Sequence, residues 1–187
     1  MADSLKSQLP SLRTGVIIAV AALVGVLVWV LVVGGDDDAA TPAGADATNA
    51  VATTPAELAS LASELGHPIY WAGAQDDAQL ELHRTPRGEV YVRYLTGDAE
   101  IGDPRPEYLT VGTYPFPDAH ESLSQQAKED GALTDETPDG GLVLTRETKP
   151  TSVYIAFPDR DLQLEIFDPD PARAFDLATS GEIVPVG

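Results

Sequence analysis

Three histidines, His67, His83 and His120, are the side chains best suited to acid–base or metal chemistry, and each stands alone in the sequence. No pair has the H-x-x-x-H or H-E-x-x-H spacing that puts two imidazoles on one helical face. No G-x-S-x-G elbow presents a serine nucleophile, no Walker lysine motif or G-x-G-x-x-G cradles a phosphate, and cysteine is absent. The string Asp135-Glu-Thr-Pro-Asp139-Gly140 starts like a calcium loop, with acids at positions 1 and 5 and glycine at 6. Position 12 is Arg146 instead of glutamate, and Pro138 breaks the loop, so calcium is not expected there. Asp36 to Asp38 read as a solvated charge block, because adjacent acids on a flexible chain hold no fixed cage. No catalytic residue, cofactor or metal ligand is therefore assigned.

The aromatic residues suggest binding. Tyr70-Trp71 follows Ile69 in a short strand, so one of the two rings should face outward. Tyr91 and Arg93 share the wetter side of their strand. Tyr70, Trp71, Tyr91 and Arg93 are the candidate contact patch, since an outward Trp, Tyr and Arg form a protein hot spot or a sugar-stacking platform.

The elements that would position these residues follow from pattern. Thr54-Pro55-Ala56-Glu57 is a capping box with proline at the first helical position. Leu58, Leu61, Ala62 and Leu65 then line one face, and Gly66 and Pro68 end the helix. Asp118-Ala-His-Glu121 repeats the capping logic and predicts a helix closed by Gly131. A third helix should run from Asp170-Pro171 to near Gly181.

Elsewhere the period is two. Leu80 and Leu82 alternate with Glu81 and His83, placing His83 on the outer face. Val90, Val92 and Tyr94 alternate with Tyr91 and Arg93. Val153, Ile155 and Phe157, then Leu162, Leu164 and Ile166, continue the pattern. These are half-buried antiparallel strands, with hairpin loops at Thr85–Gly88 and Pro158–Asp161. Leu80–Tyr94 parallels Leu142–Phe157, which suggests two helix-plus-hairpin units over 55–117 and 118–170. The expected fold is α+β, an antiparallel sheet with helices on one face.

Before this domain lies a different kind of chain. Gly15 to Val33 is 19 residues without a charge, and as a helix it would span ~28 Å, close to the ~30 Å hydrocarbon core. It is too long for a signal-peptide core, and Gly34-Gly35-Asp36-Asp37-Asp38 follows it in place of a small-residue cleavage site. Lys6 and Arg13 precede it, and the next basic residue is Arg84. The positive-inside rule then puts residues 1–14 in the cytoplasm and the rest outside. Gly15/Ala19 and Ala21/Gly25 are small-residue pairs of the kind that let two helices approach. Residues 34–54 are rich in Ala, Asp, Thr and Gly, with Val51 the only large aliphatic. Such a segment reads as a disordered tether with a reach of ~25 Å.

The 187-residue chain carries a formal net charge of −19. A phosphate backbone repels such a surface, so nucleic acid is not an expected partner. Without cysteine, disulfide scaffolds, cysteine-rich zinc modules and cysteine nucleophiles are excluded.

Three strings carry a family resemblance: LGHPIYWAG (Leu65–Gly73), VYVRYL (Val90–Leu95) with Gly102-Asp103-Pro104, and YLTVGTYPFPDA (Tyr108–Ala119). Together with an anchor followed by GGDDD, they resemble uncharacterised single-pass envelope proteins of high-GC Gram-positive-type bacteria. That resemblance implies a cell-envelope location and brings no activity. The segment from Tyr108 to Ala132 also resembles the strand–loop–helix of SPOR-type peptidoglycan-binding domains, although the hairpins that follow depart from that fold. The expectation is a non-enzymatic, membrane-anchored external domain that binds a protein or another envelope component. The alternatives are a peptidoglycan-glycan binding module and a small hydrolase with a nonlocal site.

Overall fold

The computed structural model describes residues 50–187. The tail 1–14, the apolar segment Gly15–Val33 and residues 34–49 of the linker lie outside them. Among the described residues no helix is long and apolar enough to cross a membrane.

The first half of the domain holds β1 (Val51–Ala52), α1 (Pro55–Leu65), β2 (Tyr70–Trp71), β3 (Ala78–Arg84), β4 (Val90–Thr96) and β5 (Thr110–Pro115). The second half holds α2 (Ala119–Gln126), β6 (Ala132–Glu136), β7 (Leu142–Arg146), β8 (Lys149–Ala156), β9 (Leu162–Phe167), α3 (Pro171–Ser180) and β10 (Val184–Pro185). Eight strands form one sheet in the order β1-β3-β4-β5-β9-β8-β7-β6, with every neighbour antiparallel. The fold is α+β. Strand β10 pairs with β2 in a separate ribbon.

Local chemistry explains the helix ends. Thr54 and Glu57 form the complete capping box, and Gly66 at φ 73° closes α1 with its N–H on Ala62 O. In α3, Asp170 caps through the Ala172 N–H, Pro171 opens the helix and Gly181 closes it. Helix α2 departs from expectation at both ends. Asp118 sits at φ 57° and its side chain makes no cap. The reason is the tight exit from β5: Phe116 N–H donates to Asp161 O and Asp118 N–H donates to Asp161 Oδ1, which turns Asp118 into the left-handed region. The helix stops at Gln126, where Lys128 and Glu129 donate back only three residues, and Gly131 belongs to the turn into β6.

The end of the linker is also ordered. Val51 and Ala52 pair with Leu82 and Glu81, and Thr53 N–H donates to Leu80 O. Side-chain burial does not hold this strand, since Val51 is 52% exposed. Backbone bonds to the edge of β3 do so, and composition cannot reveal them.

Both faces of the sheet are covered, which corrects the expectation of helices on one face. The cross-strand row Val92–Val111–Ile166–Val153 lies on one face. There it joins Leu58 and Leu61 of α1 and Ala174 and Leu177 of α3 in the larger core. Leu144, Tyr154 and Ala156 point the other way and pack on Ala119 and Leu123 of α2. Strands β7 and β8 carry apolar residues on both faces, so the second face there needs its own helix. The strand order is symmetric about the β5–β9 pair, but the helices do not follow it. The two parallel sequence strings also differ in register: Leu80 faces the larger core and Leu142 the smaller, and the second string carries a register shift at Thr145/Arg146.

Candidate functional site

The four candidate contact residues do not form an outward patch. Tyr70, Tyr91 and Arg93 are 2%, 0% and 6% exposed, and Trp71 is half-buried. The sheet also separates them. Tyr70 N–H donates to Thr113 Oγ1 on the larger-core face, and its ring stacks on Phe157 at 6.1 Å. Arg160 donates to the Tyr70 hydroxyl and lies 4.1 Å above the Phe157 ring. Tyr91 and Arg93 lie on the opposite face, in register with Gly112 and Thr110. That face is not the wetter one. His83, read as outward, is 3% exposed, with its ring 5.8 Å from Tyr91.

A buried polar row occupies this second face. Glu81 and Arg93 are cross-strand partners and form an ion pair. Arg93 also donates to Asp103 O at 3.1 Å and Arg105 O at 2.9 Å. Glu81 Oε2 accepts the Gly102 N–H. One buried pair thus clamps the loop between β4 and β5. Inside that loop, Asp103 accepts from the Arg105 guanidinium and backbone and from the Tyr108 hydroxyl. The Arg105 hydrogen bonds hold the Asp103 carboxyl well below the usual range.

Further along the row, Glu165 lies between two phenols. Tyr114 donates to Oε2 at 2.6 Å and Tyr154 to Oε1 at 3.3 Å. Burial pushes the Glu165 carboxyl up, and the donated bonds only partly offset this. Burial likewise holds both phenols well above their ordinary value. Tyr91 contacts the Tyr114 ring edge-on at 5.5 Å.

Of these residues only Tyr91 and Arg93 were singled out by sequence, and as outward contacts; the opposite charges of Glu81 and Arg93 on adjacent strands were the one signal for the pair. The expected loop Thr85–Gly88 would place Glu81 opposite Val92; the observed loop also takes in Glu89, and that extra residue sets Glu81 opposite Arg93. Opposite charges facing each other on adjacent strands form a pair whether the face is wet or dry.

His67, His83 and His120 sit on separate elements, and no group of acids or histidines among the described residues could hold a metal ion. The Asp135–Gly140 string spans the end of β6 and its hairpin turn. There Thr137 Oγ1 donates to Asp139 and accepts the Gly141 N–H.

The sheet ends in two unlike edges. Strand β1 is the edge on the tether side, and β6 is the far edge. Bonds from Thr137 N–H to Gly141 O and from Glu147 N–H to Gly131 O fix the β6–β7 phase. The even-numbered residues Ala132, Thr134 and Glu136 therefore turn their backbone outward. Ala132 N–H is drawn back to Glu129 O, and Glu136 N–H is capped by Asp135 Oδ1 at 2.8 Å. Thr134 is left to offer the open amide of this edge.

Comparison with family models, with curated proteins and with solved structures gives no match for this chain.

Proposed function

We propose that this chain is a membrane-tethered binding or accessory domain of the cell envelope, non-enzymatic, with its anchor at Gly15–Val33 and its folded part outside. One observation carries the binding half of this reading. The polar groups with potential for chemistry, Glu81, Arg93, Glu165, Tyr114 and Tyr154, are spent on one another and on loop backbone. They hold the second face of the sheet together and do not line a reaction cleft. The domain therefore meets its partners through edges and loop tips.

The tether supports the rest of the reading. The ladder begins at Val51, so a flexible tether would extend no further than residue 50, and a flexible chain of that length reaches ~21–25 Å. It enters at β1, seven strand spacings from β6, or about 34 Å at ~4.8 Å each. Tethering raises the local concentration of the domain near its own membrane.

The test is affinity capture with the full tagged chain in detergent, against solubilised envelope and, separately, purified peptidoglycan sacculi. Saturable recovery of one envelope protein supports the adaptor reading. Saturable cosedimentation with sacculi and no protein partner replaces it with wall binding.

A further inference from the structure

The tip of the β3–β4 hairpin carries a feature the rest of the domain lacks. Arg93, Arg105, Arg146, Arg160 and Arg173 each have a carboxylate partner. Arg84 and Arg87 have none among the described residues, although acids greatly outnumber bases in this chain. Both line one cleft of about 630 Å³, together with Leu65, Thr85, Pro86 and Gly88.

The carboxylate at the end of the hairpin loop is engaged by Thr85 and pairs with neither arginine. Glu89 is 9% exposed, and its Oε2 accepts the Thr85 hydroxyl at 2.6 Å. The turn itself is closed by backbone hydrogen bonds. Thr85 N–H donates to Glu89 O at 2.9 Å, Gly88 N–H donates to Thr85 O at 3.1 Å, and Gly88 holds φ 86°. The two guanidiniums therefore project from a closed loop, with the last residue of α1 as an apolar wall. Behind Gly88 stands His67, its Nε2 buried without a partner and 3.8 Å from where a Cβ on Gly88 would lie.

We infer that the Arg84/Arg87 cleft binds a phosphate group. A guanidinium matches phosphate with two parallel hydrogen bonds, and two guanidiniums balance a dianion. The acidity of the domain does not cancel this, because screening over ~8 Å limits the field of distant carboxylates. The phosphate comes either from a soluble phosphate compound or from a lipid headgroup. This inference does not depend on the tether, so it can fail while the proposed function stands.

The experiment titrates the isotope-labelled full chain, in nonionic detergent, with inorganic phosphate and follows the arginine side-chain N–H resonances. A second arm uses a short-chain phosphatidylglycerol, and a third uses acetate. The expected result is saturable movement of the Arg84 and Arg87 signals with inorganic phosphate, at least about tenfold tighter than with acetate. Saturation by inorganic phosphate alone assigns a soluble source; saturation by the phosphatidylglycerol as well assigns the lipid headgroup. The Arg84→Gln/Arg87→Gln variant removes no interior contact, so it keeps its fold by circular dichroism and weakens phosphate binding at least tenfold. Lys149→Gln, which removes an exposed cation elsewhere, leaves the affinity unchanged. Failure to saturate, equal binding of acetate, or unchanged affinity in the double variant overturns the inference.

Discussion

The phenol of Tyr114 lies across Gly112, two residues earlier on the same strand: a Cβ on the glycine would come within 2.6 Å of the tyrosine hydroxyl. The register explains why this matters. Gly112 is the cross-strand partner of Glu165, so a ring folded over the glycine delivers its hydroxyl to that carboxyl. Gly112→Ala normally favours a strand interior by up to ~1 kcal/mol. Here it should destabilise by about 1–3 kcal/mol, because Tyr114 must move and release Glu165. Urea denaturation of the parent chain and the variant measures the difference, and a more stable variant would contradict the packing described.

Two carboxyls should pull the pH dependence of stability in opposite directions. Burial raises Glu165 above its ordinary value of 4.5. The folded state therefore keeps this proton to higher pH than the unfolded chain does. Stability falls as pH rises from about 4.5 through the native value, and Glu165→Gln removes that decline. Asp103 is lowered from 3.8 by Arg105, so its contribution is present above that value and is lost as pH falls. Asp103→Asn should flatten the acid side of the profile. Thermal midpoints against pH for the three chains check both signs.

The Glu81–Arg93 pair should be costly to break from one side. Glu81→Leu leaves a buried guanidinium without its counter-charge, a loss of about 3–5 kcal/mol. Glu81→Leu combined with Arg93→Met should lose less than the sum of the single changes. Some loss remains in the double variant, because the Asp103 and Arg105 carbonyls and the Gly102 N–H lose their partners. A double-mutant cycle by chemical denaturation reads the coupling; strict additivity would contradict the clamp.

The far edge of the sheet is guarded by one side chain. Asp135 occupies the Glu136 N–H, so Asp135→Ala opens a second outward amide beside that of Thr134. Unpaired edge amides template pairing with other chains. The variant should self-associate more than the parent chain in sedimentation velocity, while Asp135→Asn, which keeps the acceptor, should not.

How far the sequence reveals this fold depends on which force shapes each element. Helix ends set by local caps, at Thr54 and Asp170, were readable. Asp118 was not, because a nonlocal bond to Asp161 overrides its local preference. The alternation of Val90, Val92 and Tyr94 identifies a strand and its core face. It also marks Tyr91 and Arg93 as wet, and there the pattern fails, since polarity alone does not say that a residue has a buried partner. Strand β6, with four of its five residues exposed, has no apolar alternation to announce it. Strand β1 exists only because β3 offers it a backbone ladder. The arginine cleft is a contrast with the other arginines, and it appears only once their partners are known.

We propose that the folded domain hangs outside the membrane on its own anchor. The chain has no cysteine, so Thr148→Cys, in the exposed turn before β8, gives a single thiol. Cells carrying this full-length variant are treated with a membrane-impermeant maleimide before and after lysis. Labelling in intact cells, with the chain in the membrane fraction, is the predicted result. Labelling only after lysis, or recovery of the chain outside the membrane fraction, would contradict the account.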